Sequence, residues 1–404
     1  MAEKKKTPQI RIDGFTKDWN EGLLNQYLET SLEKNLYEVF SREDVLSVSG
    51  DYGVVNQIEF QGRSFAGASV ANYGVVRTGD VVYTKSPLKE NPYGIIKTNT
   101  GKPGIVSTLY AIYHPLETTY PEFVQWYFEN NDRLNRYLNP LVNKGAKNDM
   151  KVSSDNALLG NVVFPEYDEQ KAISDALVHI KTIILQYESK LHKLQIFRAS
   201  MLEKMFPKDG AIAPKVRFKE YSGSWEKHKV GDFLTESRIT GNTGLTAKKL
   251  TVKLWGKGVV EKSDAYGGSA HTQYYVRKAG QFMYGKLDFL HAAFGIVPDS
   301  LDGYESTLDS PAFDLSGIDG RFLMNTVIQE NFYLKNGMIA NGSRKAKRIH
   351  ADTFLEMDIL VPDIEEQKKI GDYFSQLDKQ ISFAQLEISK LQNLKKALLE
   401  KMFV

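Results

Sequence analysis

Hydrophobic residues in two segments of the chain, 165–206 and 362–403, recur at alternating steps of four and three positions. This spacing places apolar side chains along one stripe of a helix and is typical of a coiled coil. At 1.5 Å per residue, each predicted helix would be roughly 55–60 Å long. The predicted seam consists of Ile173, Leu177, Ile180, Ile184, Leu191, Leu194 and Met205 in the first helix, and Ile370, Phe374, Leu377, Ile381, Ile388, Leu391 and Met402 in the second.

One seam position is charged in both helices, as Arg198 and as Lys395. A long cationic side chain at such a position can extend to solvent where the coil loosens. We favour this interpretation because Phe197 and Leu394 lie next to the charged residues and can cover the seam. The alternative is a polar position that specifies the register or the partner of the helix.

The two segments are also copies of each other at a constant offset of 197, without a gap. Both end in the sequence LEKMF, and both begin with Pro followed four residues later by Glu-Gln-Lys. Fifteen of the 42 aligned positions are identical, namely Pro165, Glu169, Gln170, Lys171, Ile173, Asp175, Ile184, Lys193, Leu194, Gln195, Leu202, Glu203, Lys204, Met205 and Phe206 with their partners. Two unrelated helices would share far fewer residues, so the pattern indicates an internal duplication.

The duplication extends upstream of the helices. The segment PQIRIDGFTKDW at 8–19 resembles PKVRFKEYSGSW at 214–225, with Pro8, Arg11, Phe15 and Trp19 matching Pro214, Arg217, Tyr221 and Trp225. Each of these arms precedes a block of about 130–140 residues and then a long helix. The sequence therefore predicts two tandem repeats of arm, block and helix.

The blocks combine short β-rich runs with a helical stretch. Strand-like runs such as YGVVNQIEF at 52–60 and QYYVRKAGQFMYGK at 273–286 are separated by Gly and Asn turn signals. Helical stretches follow at 121–138 and 320–336. We predict an α+β fold in which two mixed α/β blocks alternate with two long helices, with domains at 1–164, 165–207, 208–361 and 362–404.

Composition narrows the class of protein. Hydrophobic residues make up 42% and charged residues 25% of the 404 residues, which is ordinary for folded soluble protein. The absence of cysteine excludes disulfides and thiolate metal sites and favours a reducing, cytosolic setting. No apolar run has the length of a membrane span, and the N-terminus lacks the apolar stretch of a secretory signal. We therefore expect a cytoplasmic protein.

Motifs of catalysis or metal binding are not evident in the sequence. It has neither the GxxxxGK phosphate loop nor GxGxxG after a strand, and the seven histidines show no metal-ligand spacing. Asn91-Pro92-Tyr93 lacks the second proline of an amino-methyltransferase motif, and we interpret it as a turn. We predict no catalytic residue, no metal and no cofactor.

A net charge of only +2 does not by itself indicate a nucleic-acid binder, but basic residues cluster locally. NGSRKAKRIH at 341–350 precedes the second long helix, and NKGAKNDMKV at 143–152 has the corresponding place before the first. Lys and Arg neutralise phosphates, and Arg, Lys and Asn can hydrogen-bond base edges. Such runs are often solvated surface, yet their recurrence in both repeats favours a binding function. The candidate DNA-binding residues are Lys85, Lys89, Tyr93, Lys97, Lys102, Lys144, Lys147, Asn148, Lys151, Tyr284, Lys286, Asn341, Ser343, Arg344, Lys345, Lys347 and Arg348.

This arrangement resembles the specificity subunit of a type I restriction–modification system. The resemblance rests on the duplicated helix signature, Pro165 to Gln170 and Pro362 to Gln367 at the starts and Leu399 to Phe403 at the second end, in alternation with two divergent blocks. It covers essentially the whole chain. The first helix departs from the family's frequent double-proline start, since it opens Pro-Glu-Tyr-Asp.

The resemblance implies a prokaryotic protein without catalytic activity of its own. Each block would be a target recognition domain that reads one half of a split, asymmetric double-stranded DNA sequence. The helices would pair antiparallel, set the spacing and dock two modification subunits that methylate adenine, and restriction subunits would join them to cleave DNA with ATP. In an antiparallel pair we expect Met205 near Ile370, and Met402 near Ile173.

Two other functions remain open at this point. The chain could be a coiled-coil scaffold that presents two protein-binding domains, or a stand-alone nuclease with its own recognition domains. Reversal of the charges in NGSRKAKRIH would leave a scaffold unaffected, whereas metal-dependent cleavage by the isolated chain would indicate a nuclease.

Overall fold

The computed structural model describes residues 7–85, 87–144, 150–208, 210–263, 269–338 and 348–404. By its internal contacts the chain divides into two compact units, one comprising Met1–Glu188 with Leu386–Val404 and the other Ser189–Gln385. Each unit therefore contains one block and one part of each long helix. The four-part division at 165, 208 and 362 stays a prediction.

The first unit contains the β-rich block and the short helices that follow it. Its elements in chain order are β1 (Asn20–Leu23), β2 (Leu28–Thr30), β3 (Leu46–Ser49), β4 (Gly53–Asn56), α1 (Gln57–Gln61), β5 (Gly74–Val76), β6 (Val81–Thr84), β7 (Ile95–Thr98), β8 (Gly104–Val106), β9 (Tyr110–Pro115), α2 (Pro121–Tyr127), α3 (Asn131–Leu138), β10 (Asn143–Lys144), β11 (Met150–Lys151), β12 (Asn161–Phe164) and the long helix α4 (Tyr167–Lys204). An antiparallel sheet of order β2-β9-β6-β7 forms its centre.

The second unit follows the same plan. Its elements are β13 (Glu226–Lys229), β14 (Leu234–Ser237), β15 (Thr240–Thr243), β16 (Leu250–Val252), β17 (Val259–Glu261), β18 (Gln273–Val276), β19 (Phe282–Tyr284), β20 (Phe294–Ile296), β21 (Glu305–Ser306), β22 (Ala312–Leu315), α5 (Gly320–Val327), α6 (Glu330–Gly337), α7 (Ala351–Leu355), β23 (Asp358–Val361) and the long helix α8 (Ile364–Lys401). Its central sheet has the order β14-β22-β19-β20, which matches the first unit strand for strand.

Two further pairings repeat between the units. The strand after each arm pairs antiparallel with the strand before each long helix, β1 with β12 and β13 with β23. A β-hairpin, β3·β4 in the first unit and β16·β17 in the second, lies beside the central sheet. The α+β fold and the tandem duplication predicted from the sequence are therefore present in the structure.

Some boundaries differ from the sequence-based expectation. The strand-like run 52–60 ends at Asn56, whose side chain accepts hydrogen bonds from the amides of Ile58 and Glu59 and so caps helix α1. The helical stretch 121–138 is divided into α2 and α3, because the Asn130 side chain accepts from Arg133 N and starts a new helix. The corresponding stretch of the second unit is likewise divided, into α5 and α6.

The long helices α4 and α8 each contain 38 residues. Every predicted seam residue is buried or half-buried, whereas neighbouring apolar residues off the seam, such as Leu185, Phe197 and Phe383, are about half exposed. The covered stripe of each helix therefore follows the predicted heptad positions, and the role of these residues as a coiled-coil seam stays a prediction. Phe206 and Phe403, just beyond the helix ends, are also buried.

The ends of the helices pack into the cores of the units. In the first unit, Ile173 and Leu177 of α4 belong to the same hydrophobic core as Met402 of α8. In the second unit, Met205 belongs to the same core as Ile370 and Phe374. Within each unit the start of one helix thus packs with the end of the other, as expected for an antiparallel pair.

The arms close against the ends of the long helices. The amide of Ile10 donates to the carbonyl of Lys401 at 3.0 Å, and the amide of Val216 donates to the carbonyl of Lys204 at the same distance. Lys204 and Lys401 hold the same place in the LEKMF repeat. The arm and the helix end therefore meet in the same way in both units.

Candidate nucleic-acid interface

The duplicated Glu-Gln at the start of each long helix forms a set of buried hydrogen bonds, here called the lock, that holds the arm and the block to the helix. Glu169 is buried, and its carboxylate accepts two 2.7 Å hydrogen bonds from the guanidinium of Arg11 in the arm. The buried Gln170 donates to the carbonyl of Pro165 at 2.9 Å and accepts from the amide of Tyr120 at 2.8 Å. These bonds join the arm, the block and the first turn of α4.

The second unit repeats the lock. Glu366 is fully buried and accepts two 2.7 Å hydrogen bonds from Arg217. Gln367 donates to the carbonyl of Pro362 at 2.9 Å and accepts from the amide of Asp319 at 3.0 Å. Two carboxylates held in bidentate pairs position helices and are not disposed for acid–base chemistry.

The charged seam residues Arg198 and Lys395 do not extend freely into solvent. Arg198 donates to both carboxylate oxygens of Asp378, at 2.5 and 3.0 Å, and to Asn325 Oδ1 at 3.2 Å. The ammonium group of Lys395 lies 3.3 Å from Glu129 Oε1 and 5.2 Å from the centre of the Trp126 ring. The expectation that these residues leave the seam for water is therefore wrong, because each pairs with a carboxylate of its own unit.

Glu129 receives a second cation, Lys97, which comes from strand β7. Burial alone would raise the pKa of Glu129, but the positive charges of Lys97 and Lys395 and their hydrogen bonds offset it, so the pKa lies below its ordinary value. Lys97 is only 7% exposed. The prediction that Lys97 contacts DNA is therefore wrong, since its ammonium group is used inside the unit.

Other candidates of the first block lie at the surface. Lys89 and Lys102 are exposed. Tyr93 is half-buried, and its hydroxyl donates to Asn139 Oδ1 at 2.9 Å. The backbones of Lys144 and Lys151 belong to the antiparallel pair β10·β11. Lys147 and Asn148 lie outside the described residues. The DNA-binding roles of this set stay predictions.

Lys85 lines a groove of about 240 Å³ in the first unit. Lys34, Ser31, Ser107 and Asp155 also line this groove. The pKa of Lys85 is lowered, mainly by partial burial and to a smaller extent by repulsion from Lys34. Neither Lys34 nor Lys85 forms an ion pair with another described residue, while Asp155 accepts a 3.1 Å hydrogen bond from Thr30. The lining thus combines two lysines with several hydroxyl-bearing residues and one carboxylate, and its two cationic side chains suit an anion.

The second block presents its candidates at the corresponding strand end. Lys286 follows β19 closely, as Lys85 follows β6. The carbonyl of Lys286 accepts from Ile349 N at 3.1 Å, and its amide donates to Asp309 O at 2.9 Å. The guanidinium of Arg348 lies 3.5 Å from the Asp309 carboxylate. The structure therefore brings Lys286 and Arg348, far apart in sequence, to one place.

Tyr284 is a correction to the predicted site. Its side chain is fully buried in the core of the second unit, and its hydroxyl donates to the carbonyl of Ile349 at 2.9 Å. A contact between this ring and DNA is therefore excluded, and the prediction was wrong. The candidates Asn341, Ser343, Arg344, Lys345 and Lys347 lie outside the described residues.

Sequence reasoning did not identify the roles of Arg11 and Arg217, nor Lys34. The two arginines carried a signal, since they match each other in the duplicated arms, but their carboxylate partners lie far along the chain. Lys34 had no such signal.

No group of three or more His, Cys, Asp or Glu side chains suited to a metal ion occurs among the residues that the structure describes. Within the same part of the chain, no helix is long and apolar enough to cross a membrane.

Comparison with known proteins identifies similar architectures. No family model matches the chain. The crystal structure of a type I restriction–modification system S subunit from M. genitalium is similar over 98% of this chain and 99% of its own, with a TM-score of 0.59 and 11% sequence identity. An HsdS subunit from Thermoanaerobacter tengcongensis matches over 95% of this chain and 96% of its own, with a TM-score of 0.45 and 13% identity. The fold of the chain is therefore similar, over almost its whole length, to that of the M. genitalium S subunit.

Proposed function

We propose that this protein is the DNA sequence-specificity subunit of a type I restriction–modification complex. Each block reads one half of a bipartite, asymmetric DNA site, and the paired long helices set the spacing between the half-sites. The helices also dock two modification subunits, which supply adenine methylation, and restriction subunits complete the nuclease. In this proposal the chain itself carries no catalytic centre.

The observation that carries the proposal is one topology built twice with different surfaces. The central sheets have the same strand order, and the Arg–Glu and Gln locks are the same in both units. The surfaces differ, since a groove with Lys34 and Lys85 in the first unit corresponds to a Lys286–Asp309–Arg348 cluster in the second. A duplicated scaffold with unlike surfaces suits the recognition of two unlike half-sites.

The fold supports the same conclusion. The M. genitalium protein that shares this fold over nearly its whole length is an S subunit. The nearly neutral overall charge is compatible with DNA binding if partner subunits neutralise much of the phosphate backbone. The basic residues near the ends of β6 and β19 then supply local contacts.

The decisive experiment is reconstitution. The chain would be co-expressed with the modification subunit of its own system, and methylated adenines would be mapped by sequencing the host DNA. We expect one two-part, non-palindromic motif with a fixed spacer. Methylation without any sequence preference would overturn the proposal. Normal assembly without DNA recognition would instead indicate a scaffold, and metal-dependent cleavage by the isolated chain a nuclease.

A matched pair of variants assigns the half-sites. Substitution of Lys286 and Arg348 by Gln should alter recognition of one half of the motif and leave the other half unchanged. Substitution of Lys34 and Lys85 by Gln should weaken the hold of the first block on the other half-site, because phosphate contacts position a block on the duplex. Disrupted recognition of both halves in either variant would contradict the assignment of one half-site to each block.

A further inference from the structure

The hairpin β16·β17 of the second unit ends in a turn with an unusual residue at its tip. The turn comprises Leu254, Trp255, Gly256 and Lys257, and is closed by a 3.4 Å hydrogen bond from Lys257 N to Leu254 O. Trp255 and Gly256 have φ angles of 61° and 63°. Positive φ at both central residues is the pattern of a type I′ turn, which favours Asn, Asp or Gly at the position that Trp255 occupies. A bulky residue there is disfavoured by its Cβ.

The backbone of the tip is fixed on the unit. The amides of Trp255 and Gly256 donate 2.8 Å hydrogen bonds to the carbonyls of His291 and Ala292. A Cβ atom on Gly256 would lie 2.8 Å from Cγ2 of Ile328, so glycine is required there for space as well as for its φ angle. Beneath the turn, Val252 and Val259 are buried. The tip is therefore a rigid feature.

Folding does not account for the tryptophan itself. Trp255 is 55% exposed, whereas Trp19, Trp126 and Trp225 are at most 3% exposed. The indole approaches the His291 ring edge-on, with the centroids 5.6 Å apart. An exposed indole on a disfavoured backbone is the kind of local conflict that occurs at functional sites.

The tip is also positively charged. Lys253 and Lys257 flank the tryptophan, both are exposed, and neither forms an ion pair with a residue that the structure describes. The nearest carboxylate, that of Asp288, lies 3.9 Å from Nδ1 of His291, the ring beside the indole. An exposed aromatic residue flanked in the chain by two exposed lysines complements a ligand with flat apolar faces and phosphates, as nucleic acid has.

The first unit provides a comparison. Its hairpin β3·β4 also carries an exposed aromatic residue, Tyr52, which is 63% exposed and lies 5.1 Å from the ring of Phe60. Tyr52 follows Asp51, and the hairpin contains no lysine or arginine between residues 46 and 56. The charge needed to approach a polyanion is therefore present in the second hairpin and missing from the first.

We propose that the tip of hairpin β16·β17 enters a groove of the DNA, where the indole of Trp255 stacks on nucleobases and Lys253 and Lys257 neutralise flanking phosphates. The inference rests on the proposed function, and it assigns to the second block a base contact made through stacking. Apolar and aromatic side chains that enter a groove can separate neighbouring base pairs and distort the duplex. Trp255 would then contribute to recognition through the cost of that distortion as well as through direct stacking.

The test uses the chain assembled with its modification subunits and a duplex that carries the methylated motif. Binding would be measured at several salt concentrations for the wild type and for Trp255→Ala, Trp255→Phe, Trp255→Asn, Tyr52→Ala and the double variant Lys253→Gln/Lys257→Gln. Trp255→Ala should weaken binding roughly 5- to 150-fold, the range for removal of one aromatic–base stack, with an unchanged salt slope. The lysine variant should lower the slope by about 0.9 for each phosphate that is no longer neutralised.

The remaining variants separate binding from folding. Trp255→Phe should retain most of the affinity, and Tyr52→Ala should bind like the wild type. Trp255→Asn places a favoured residue in the turn, so its melting temperature should not fall, yet it should bind DNA as weakly as Trp255→Ala.

Wild-type affinity in Trp255→Ala would overturn the inference. Failure of that variant to assemble with the modification subunits would also overturn it, because the indole would then be a protein contact. Methylation without sequence preference by the wild type would overturn the proposed function instead. The total DNA affinity of Trp255→Ala, compared with that of the wild type, would still decide the role of Trp255.

Discussion

The guanidinium of Arg11 and the carboxylate of Glu169, 158 residues apart in the chain, are joined by two hydrogen bonds of 2.7 Å. The same fork joins Arg217 to Glu366 in the second unit. Since the carboxylates are buried and the arginines are mostly covered, these pairs are shielded from water and salt. The arms are therefore integral parts of the two units.

Removal of one partner of this pair should be strongly destabilising. Arg11→Met leaves the buried carboxylate of Glu169 unpaired, which typically costs about 3–5 kcal/mol. Urea unfolding, monitored by a probe placed in the first unit, measures the decrease in the free energy of unfolding. The control is Lys17→Met, which breaks the exposed 2.8 Å pair with Glu166 in the same arm and should cost less than about 1 kcal/mol. Equal decreases in the two variants would contradict this prediction.

The ion cluster around Glu129 predicts acid sensitivity. The folded pKa of Glu129 is depressed, so its stabilising contribution is complete above its unfolded pKa, near 4.5, and disappears as pH falls through the folded value. Between pH 5 and pH 3 the free energy of unfolding should fall more for the wild type than for Glu129→Gln, although the variant has the lower value at pH 7. Thermal unfolding across this range tests the prediction, and parallel pH profiles would refute it.

The groove with Lys34 and Lys85 predicts salt-dependent DNA binding. Lys34→Gln/Lys85→Gln should weaken binding by the assembled complex and lower the log–log salt slope by about 0.9 for each phosphate that these lysines neutralise. Lys17→Gln removes an exposed lysine of the same unit and should leave the slope nearly unchanged. A double variant with the wild-type slope would exclude phosphate binding in this groove.

The helix ends predict separate effects on the two units. Met402 and Met205 are 4% and 3% exposed, and truncation of such a residue to Ala typically costs about 2–5 kcal/mol. Hydrogen exchange should show that Met402→Ala destabilises residues 167–188 and 386–404, whereas Met205→Ala destabilises residues 189–204 and 364–385. Leu185→Ala and Leu386→Ala, at positions that are 52% exposed, are the controls. A reversed pattern would contradict the antiparallel packing.

The long helices could be predicted from the sequence because their signal is local and repeated. The seam from Ile173 to Met205 recurs from Ile370 to Met402, and burial follows that stripe. Strands β1 and β13 have no comparable signal. Glu226–Lys229 reads EKHK and forms a strand because its backbone pairs with the apolar β23, more than 100 residues later. Such a strand depends on a distant partner, which local propensity does not reveal.

The candidate site was partly predictable for the same reason. Lys85, Lys286 and Arg348 mark strand ends and loop borders that both repeats share, and the structure leaves them at least partly accessible. Lys97 and Tyr284 lie on strands whose residues are all buried, although β7, which carries Lys97, is at the edge of its sheet. The carboxylate that neutralises Lys97 comes from Glu129, 32 residues away. Whether a lysine faces water or a buried carboxylate depends on tertiary contacts, which the local sequence does not reveal.

The matching hydrogen bonds from Ile10 to Lys401 and from Val216 to Lys204 carry a consequence for connectivity. In the second unit a continuous stretch of chain runs from the helix end to the arm, whereas in the first unit the same junction is made without a covalent link. The fold does not need that link to bring helix end and arm together. The architecture therefore does not require either half to precede the other in the chain.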